Sequence, residues 1–324
     1  MPSKVSTANS NLSLTSREIT IDGFEQLRMA TPATNSEIIQ LEAGRMQGRL
    51  KHANFAGLSL GFGTFTRGLL SRGIYSYELV TIGFLFDRSG QFRSQGISTI
   101  GIWSPGAEHE RRYDGDTSFG GISVAVEDFV DFFGPNNRFG DPSAWRKPNI
   151  FRPDHESGAV AADALRRIMT SFDKRAIKLS QADAAFWKRA ILEAATSVMA
   201  FSEPSDVFVA SPTRLVRQAQ EYVDRSGRAP VHLSELLAVL RVSRRSLHRA
   251  FDEVLGIPPM TYLRHKRLCE ARILLKEDAG RSITVADVAF KQGFSDFGRF
   301  SGYYRSLFGE NPSDTLRSTR LQTS

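Results

Sequence analysis

One stretch of residues occurs twice in the C-terminal third of this chain. The first copy runs LSELLAVLRVSRRSLHRAFDEVLGIPPMTYLR, from Leu233 to Arg264, and the second runs VADVAFKQGFSDFGRFSGYYRSLFGENPSDTLR, from Val285 to Arg317. Leu236 aligns with Val288 and Ser243 with Ser295 at an offset of 52. Leu247 then aligns with Phe300, Phe251 with Tyr304, Gly256 with Gly309 and Pro259 with Pro312 at an offset of 53. One extra residue therefore sits early in the second copy. A repeat of this length fixes architecture more firmly than any isolated motif. Each copy reads as a helix, a tight turn and a second helix.

Charge gives the repeat a chemical meaning. From Ser211 onward there are 19 Lys or Arg against 12 Asp or Glu, whereas 23 of each precede it. The whole net charge of +7 thus belongs to the segment carrying the repeat. A basic unit beside a neutral one fits a phosphate-binding module joined to something with another task. The 324 residues suggest about two domains.

Helical periodicity sharpens the picture. The spacing predicts helices over 213–225, 232–240, 243–255, 259–277, 284–292 and 295–308, with a short closing helix from Pro312. In the first copy, Leu247, Ala250, Phe251 and Val254 form an apolar stripe, which leaves Arg244, Arg245, His248 and Arg249 on the opposite face. Ser243 is placed to cap that helix, so its first turn would enter a major groove of double-stranded DNA. Arg245 and Arg249 lie one turn apart, and each carries the planar fork that matches the O6 and N7 edge of guanine. In the second copy the expected stripe is Phe297, Phe300, Tyr304 and Phe308. Ser295, Asp296, Gly298 and Arg299 would then face DNA, with Lys291 and Arg305 near phosphates. Gly298 and Gly302 lie inside this helix, and each costs up to about 1 kcal/mol relative to Ala. The second copy is expected to read sequence less and position more. The helix between the copies, about 28 Å long at 1.5 Å per residue, suits two readers about 34 Å apart on one duplex face. Leu263, Arg267, Ala271 and Leu274 are its expected docking stripe.

These residues resemble the DNA-binding domain of the AraC/XylS family of bacterial transcription regulators. The resemblance rests on Leu233 to Leu236, Val242, Ser243, Leu247, Phe251, Gly256 and Pro259 in the first copy, and on the Arg267–Leu275 run. Val285, Val288, Ala289, Gly293 to Ser295, Phe300, Tyr304, Arg305, Phe308, Gly309 and Pro312 complete it in the second. It implies two helix-turn-helix units bridged by a helix and bound in adjacent major grooves. It also implies transcription control, commonly activation through contact with RNA polymerase. Arg241 departs from the family by standing where a turn Gly is usual, a position that costs of order 1 kcal/mol at positive φ.

The first half reads differently. Residues 1–18 are polar and are expected to be a flexible tail. From about Gln40 to Val126 short β-branched and aromatic runs are punctuated by Gly, with Gly57, Gly61 and Gly63 at possible bulges, which predicts a barrel or two-sheet roll. Two helices follow, over 158–173 with Val160, Ala164, Leu165, Ile168, Met169 and Phe172 on one side, and over 181–201 with Ser180 as N-cap and Asp183 in its first turn. The fold class is thus α+β: a β-rich domain with a helical pair, then an all-α domain. The expected boundaries are 19–201, a linker over 202–212, and 213–324, with helix-turn-helix units over 232–255 and 284–308. The N-terminal segment resembles the jelly-roll, cupin-like sensor domain found in part of the family. That implies a small organic effector and homodimerisation. Phe62, Phe65, Tyr75, Tyr77, Phe84, Phe86 and Trp103 are its candidate lining, with Arg88 or Arg93 as an anion partner. The rival is a constitutive DNA-binding or assembly protein with no effector.

Enzyme chemistry finds little support. No His-x-His pair occurs, and the run Ala107 to Arg111, AEHER, reads as a solvated loop. Cys269 is the sole cysteine and lies on a helical stretch, so packing is its expected role. The Gly61 to Gly63 run lacks the third glycine of a dinucleotide fingerprint, and there is no P-loop or nucleophile elbow. No metal or cofactor is expected. The chain shows neither a signal-peptide core nor an apolar run near the ~20 residues of a membrane span, so a cytoplasmic protein is expected.

Overall fold

The computed structural model describes residues 13–30, 34–87, 95–172, 177–199, 211–227, 231–277 and 283–322. Its N-terminal lobe holds two antiparallel sheets. Strands β1 (Ser13–Ile21), β3 (Gly48–Phe55), β4 (Leu58–Phe65), β6 (Leu79–Phe86), β7 (Ile97–Trp103), β9 (Thr117–Ala125), β10 (Asn149–Phe151) and β11 (Ile177–Lys178) form the larger one, in the order β10-β7-β6-β9-β4-β3-β1-β11. Strands β2 (Thr34–Gln40), β5 (Leu69–Tyr75) and β8 (Glu108–Tyr113) form the smaller, in the order β2-β5-β8. Helix α1 (Phe24–Ala30) joins β1 to β2. Helices α2 (Val126–Phe133), α3 (His155–Ser171) and α4 (Gln181–Thr196) cover the outer face of the larger sheet, packed on Ile82, Ile100, Ile102 and Ile122.

The β-roll expectation holds, and the structure alters three details of this lobe. Residues 13–18 belong to a strand rather than a tail, because Leu14 and Ile21 are buried and β1 pairs with β3 from Thr15 to Ile21. Gly61 and Gly63 sit in unbroken register with β9 and mark no bulge. Gly57 does turn the chain: with Ala56 it takes positive φ, +78° and +45°, in the two-residue link between β3 and β4. Such links match the twist of the strands they join. On α3 the buried side is Ala161, Ala162, Leu165 and Met169, whereas Val160 is 65 % exposed. Small residues set the close approach to the sheet, so the larger Val160 was a misleading guide to the inner face. Ser180 caps α4 in a reciprocal box with Asp183, as its spacing predicts.

The C-terminal helices are α5 (Ser211–Arg225), α6 (Leu233–Leu240), α7 (Arg244–Leu255), α8 (Pro259–Glu277), α9 (Val285–Lys291), α10 (Phe297–Phe308) and α11 (Pro312–Gln322). Each falls within a few residues of its sequence expectation. The expected linker lies outside the described residues, except that Ser211 and Pro212 already open α5.

The two lobes share one apolar core. Ile21, Phe24, Ile38, Ile39, Leu41, Met46 and Leu70 belong to the same cluster as Val216, Leu236, Leu247, Phe251, Leu268, Phe300 and Phe308. Helix α8 is therefore buried on much of its circumference, at Tyr262, Leu263, Leu268, Cys269, Ala271, Arg272 and Leu275. The expected stripe is correct at Leu263 and Ala271. Arg267 and Leu274 are only half-buried, and further residues are buried because β2 as well as both helix-turn-helix units press on this helix.

Candidate nucleic-acid interface and cavity

The first helix-turn-helix unit is α6, a turn, and α7. Arg241 closes α6 in the left-handed region at φ 51° and ψ 44°, the conformation a glycine would take without steric cost. Ser243 follows, and its side chain accepts from the Ser246 amide at 3.1 Å, so the cap is real. Burial of Leu247, Ala250, Phe251 and Leu255 turns Arg244, Arg245 and Arg249 into solvent on the first two turns of α7. Three cations at a helix N-terminus are disfavoured by the helix dipole and by each other. Stability does not explain them, and a polyanion does. His248 is less available than expected: it is half-buried, and its Nε2 is buried without a hydrogen-bond partner.

The second unit is α9, a longer turn, and α10. Thr284 and Asp287 form a capping box at the start of α9. The extra residue of the second copy lies in the turn. Gly293 takes the left-handed position of Arg241, but the cap moves one residue on to Asp296, whose Oδ1 accepts from the Arg299 amide at 2.9 Å. Asp296 also pairs with Arg299 at 3.3 Å, so its carboxylate serves the helix end. Ser295 is exposed and does not cap. Lys291, Gly298, Arg299 and Arg305 are exposed. The buried face is Phe300, Tyr304, Leu307 and Phe308; Phe297 is 46 % exposed, against the sequence expectation. Phe297 is the first residue of its helix; the rest of the expected stripe, Phe300, Tyr304 and Phe308, is buried, so the helix has the expected phase and only its first turn is left uncovered.

The N-terminal lobe grips the far end of α10. The Gln40 Nε2 donates to the Leu307 carbonyl at 2.7 Å, and the Gly44 amide donates to the same carbonyl at 3.0 Å. Last-turn carbonyls have no partner within their helix, so these donors replace water there. Arg272 of α8 joins Glu25 at 3.0 Å to Glu310 at 2.7 Å. Nearby, Arg72 of β5 pairs with Glu37 and, at 2.7 Å, with Asp224 of α5, and Lys266 of α8 pairs with the same two carboxylates. Cys269 is buried and its Sγ accepts from the Gln40 amide at 3.4 Å. Burial pushes this thiol up, away from the reactive thiolate.

Between the sheets lies a cavity of about 1780 Å³. Its floor includes three glycines in register across adjacent strands, Gly61 facing Gly121 and Gly121 facing Gly83; Gly101 continues the row but is covered by the Trp103 ring. A Cβ at Gly121 would meet nothing closer than 3.7 Å, so the space there is open. Of the glycines read as bulges in the sequence, Gly61 instead helps hollow out the roll, whereas the Phe119 ring fills the space over Gly63. Phe65, Tyr75, Trp103 and His109 form part of the wall, with Thr213 and Arg217 from α5 and Val254 and Leu255 from α7. Tyr75 stacks on His109 with ring centroids 4.3 Å apart and lies 5.4 Å from Trp103. His109 belongs to β8, not to a loop, and its Nε2 lies 3.4 Å from the hydroxyls of Ser36 and Ser71. Burial holds its ring down to about 4.

Of the sequence candidates, Phe65, Tyr75 and Trp103 line this space. Phe84 borders it, but its ring packs against Phe62 and Phe86 in the core beyond the sheet. Tyr77 is 76 % exposed. Arg88 and Arg93 lie outside the described residues. His109 and Arg217 escaped sequence reasoning. The segment around His109 alternates charge with charge, which leaves no apolar period to reveal its inner face.

Residues 236–318 match the family described as "Helix-turn-helix domain". The chain is 38 % identical over 109 residues to XylDLEGF operon transcriptional activator 2 of Pseudomonas putida, a match covering 34 % of this chain and 67 % of that protein. It is 31 % identical over 102 residues to the XylDLEGF operon transcriptional activator of the same organism, where the match spans about a third, 32 %, of either chain. A transcriptional regulator with an AraC-type DNA-binding domain from Chromobacterium violaceum is 28 % identical, over 34 % of this chain and 96 % of that one, with a TM-score of 0.31. The helix-turn-helix match over residues 236–318 and the 38 % identity to XylDLEGF operon transcriptional activator 2 show that the chain belongs to the AraC/XylS family.

Proposed function

We propose that this protein is a sequence-specific regulator of transcription that binds double-stranded DNA through α7 and α10, under the control of a small organic effector held between the sheets. The observation that carries the DNA reading is the placement of Arg244, Arg245 and Arg249, all exposed, on the first two turns of a capped helix. Guanine O6 and N7 are the acceptors that this arrangement suits. Lys291 and Arg305, exposed on the second unit, supply phosphate contacts. The domains divide ahead of α5, whose first residues are Ser211 and Pro212, and α7 and α10 enter major grooves about one turn apart.

The effector reading is supported by the glycine-floored cavity and by its wall. Val254 and Leu255 in that wall end the first recognition helix, so an occupant touches the helix that meets DNA. The N-terminal lobe acts by binding. Homodimerisation and contact with RNA polymerase complete the reading, by analogy with the family. No helix among the described residues is long and apolar enough to cross a membrane, in keeping with a cytoplasmic site of action.

Two experiments test this. Full-length protein should enrich one sequence from random duplexes; recovery of unrelated sequences would refute the DNA reading. In a thermal-shift panel of small organic molecules, a true effector at 100 times its Kd adds about 2.7 kcal/mol. A panel without any stabilising compound would favour a constitutive binder.

A further inference from the structure

The exposed face of α10 is not the face of α7. At the offset of 53 set by the two caps, Arg244, Arg245, His248 and Arg249 correspond to Phe297, Gly298, Ser301 and Gly302. Four polar or charged side chains are thus replaced by one aromatic ring and three small residues. The Ser301 hydroxyl donates to the Phe297 carbonyl at 3.0 Å, so its polarity is turned back onto the helix. A Cβ at Gly302 would meet nothing within 4 Å, and one at Gly298 would meet only the Asp296 carboxylate, at 3.4 Å. Nothing in this fold requires glycine at either position, although both weaken the helix. Phe297 is 46 % exposed on the first turn of a recognition helix, the turn that reaches base edges in this class of motif.

We infer that Phe297 is a specificity residue whose ring packs on the 5-methyl group of a thymine in the major groove, where Gly298 and Gly302 let the α10 backbone approach the bases. The thymine methyl is the one apolar feature the major groove offers, and it separates A·T from G·C without a hydrogen bond. The nearby Asp296 does not spoil the contact, because its carboxylate is engaged by the Arg299 amide and side chain. The two units then read different chemistry: α7 reads guanine edges with arginine forks, and α10 reads a methyl with a ring. This inference rests on the DNA-binding reading above.

The test uses the full chain and duplexes it selects from random DNA, resynthesised with deoxyuridine at single thymines. That change deletes one methyl and nothing else. One such substitution in the half-site under α10 should weaken wild-type binding about four-fold, the worth of one buried methyl. Phe297→Ala should bind equally well with or without that methyl, and Phe297→Leu, which keeps an apolar side chain, should retain sensitivity. Equal responses of wild type and Phe297→Ala to every substitution would overturn the role of Phe297 and leave the DNA reading intact. Failure of wild type to select any sequence would overturn both.

Discussion

Arginine geometry and glycine cost make the sharpest claims at the scale of single residues. Replacing Arg245 or Arg249 by Ala should cost about 1–3 kcal/mol on the selected duplex and relax preference at one base pair. Affinity measured on single-base variants of the site checks this, and equal losses on all variants would reduce both side chains to phosphate contacts. Lys291→Ala should instead weaken binding on every sequence and make the salt dependence shallower by about one charge. Gly302→Ala should raise stability by up to about 1 kcal/mol, because the added methyl enters open space on a helix. A melting experiment showing destabilisation would mean that the position is sterically constrained after all. Residue types were easiest to read where one atom does one job, as with the Ser243 and Ser180 caps. They were hardest at helix starts. Phe297, the first residue of its helix, is exposed although Phe300, Tyr304 and Phe308 are buried as expected, and the periodic pattern does not show where the burying neighbours end.

Among elements, α8 and α10 are held by partners far away in sequence. Arg272 is 4 % exposed and bridges Glu25 of α1 to Glu310 beyond α10. Replacing it by Met would strand the buried Glu25 carboxylate, so denaturant melts should show a loss of about 3–5 kcal/mol. A loss below 1 kcal/mol would show that water reaches the carboxylates and that the bridge is ornamental. The helices of the C-terminal segment were legible because their apolar residues recur at helical spacing and their ends carry Ser, Gly and Pro signals. The strands were legible as a class, yet the glycines within them were not. Gly61, Gly83, Gly101 and Gly121 mean little one by one, and only strand pairing puts them in a row. The stripe expected on α8 was incomplete for a similar reason, since periodicity shows that a face is buried but not how many neighbours bury it.

Across the whole molecule, one core joins the N-terminal lobe to the DNA-binding helices, so the state of one bears on the other. His265 of α8 lies at that junction, beside Gln40 and Leu41, and burial with the charge of Arg264 holds it down to about 4 from an ordinary 6.5. His109 in the cavity wall is held equally low by burial. The folded state thus prefers both rings neutral, and the unfolded chain takes up their protons first. Stability should be complete above about pH 6.5 and fall as pH drops toward 4. His265→Asn should flatten that fall in melting curves taken between these limits; an unchanged slope would place the pH dependence in other groups. The shared core itself was invisible beforehand, since composition and the charge division both pointed to two separate bodies. Yet the claim drawn first from the doubled motif is also the most exposed to test. It is settled by the ratio of affinities for the selected duplex and a scrambled one of equal length, at one salt concentration, for wild type and Arg245→Ala. The account predicts a wild-type ratio of at least about 10³, reduced roughly 5- to 150-fold in the variant by loss on the selected duplex alone. Equal affinity of the wild type for both duplexes would contradict it.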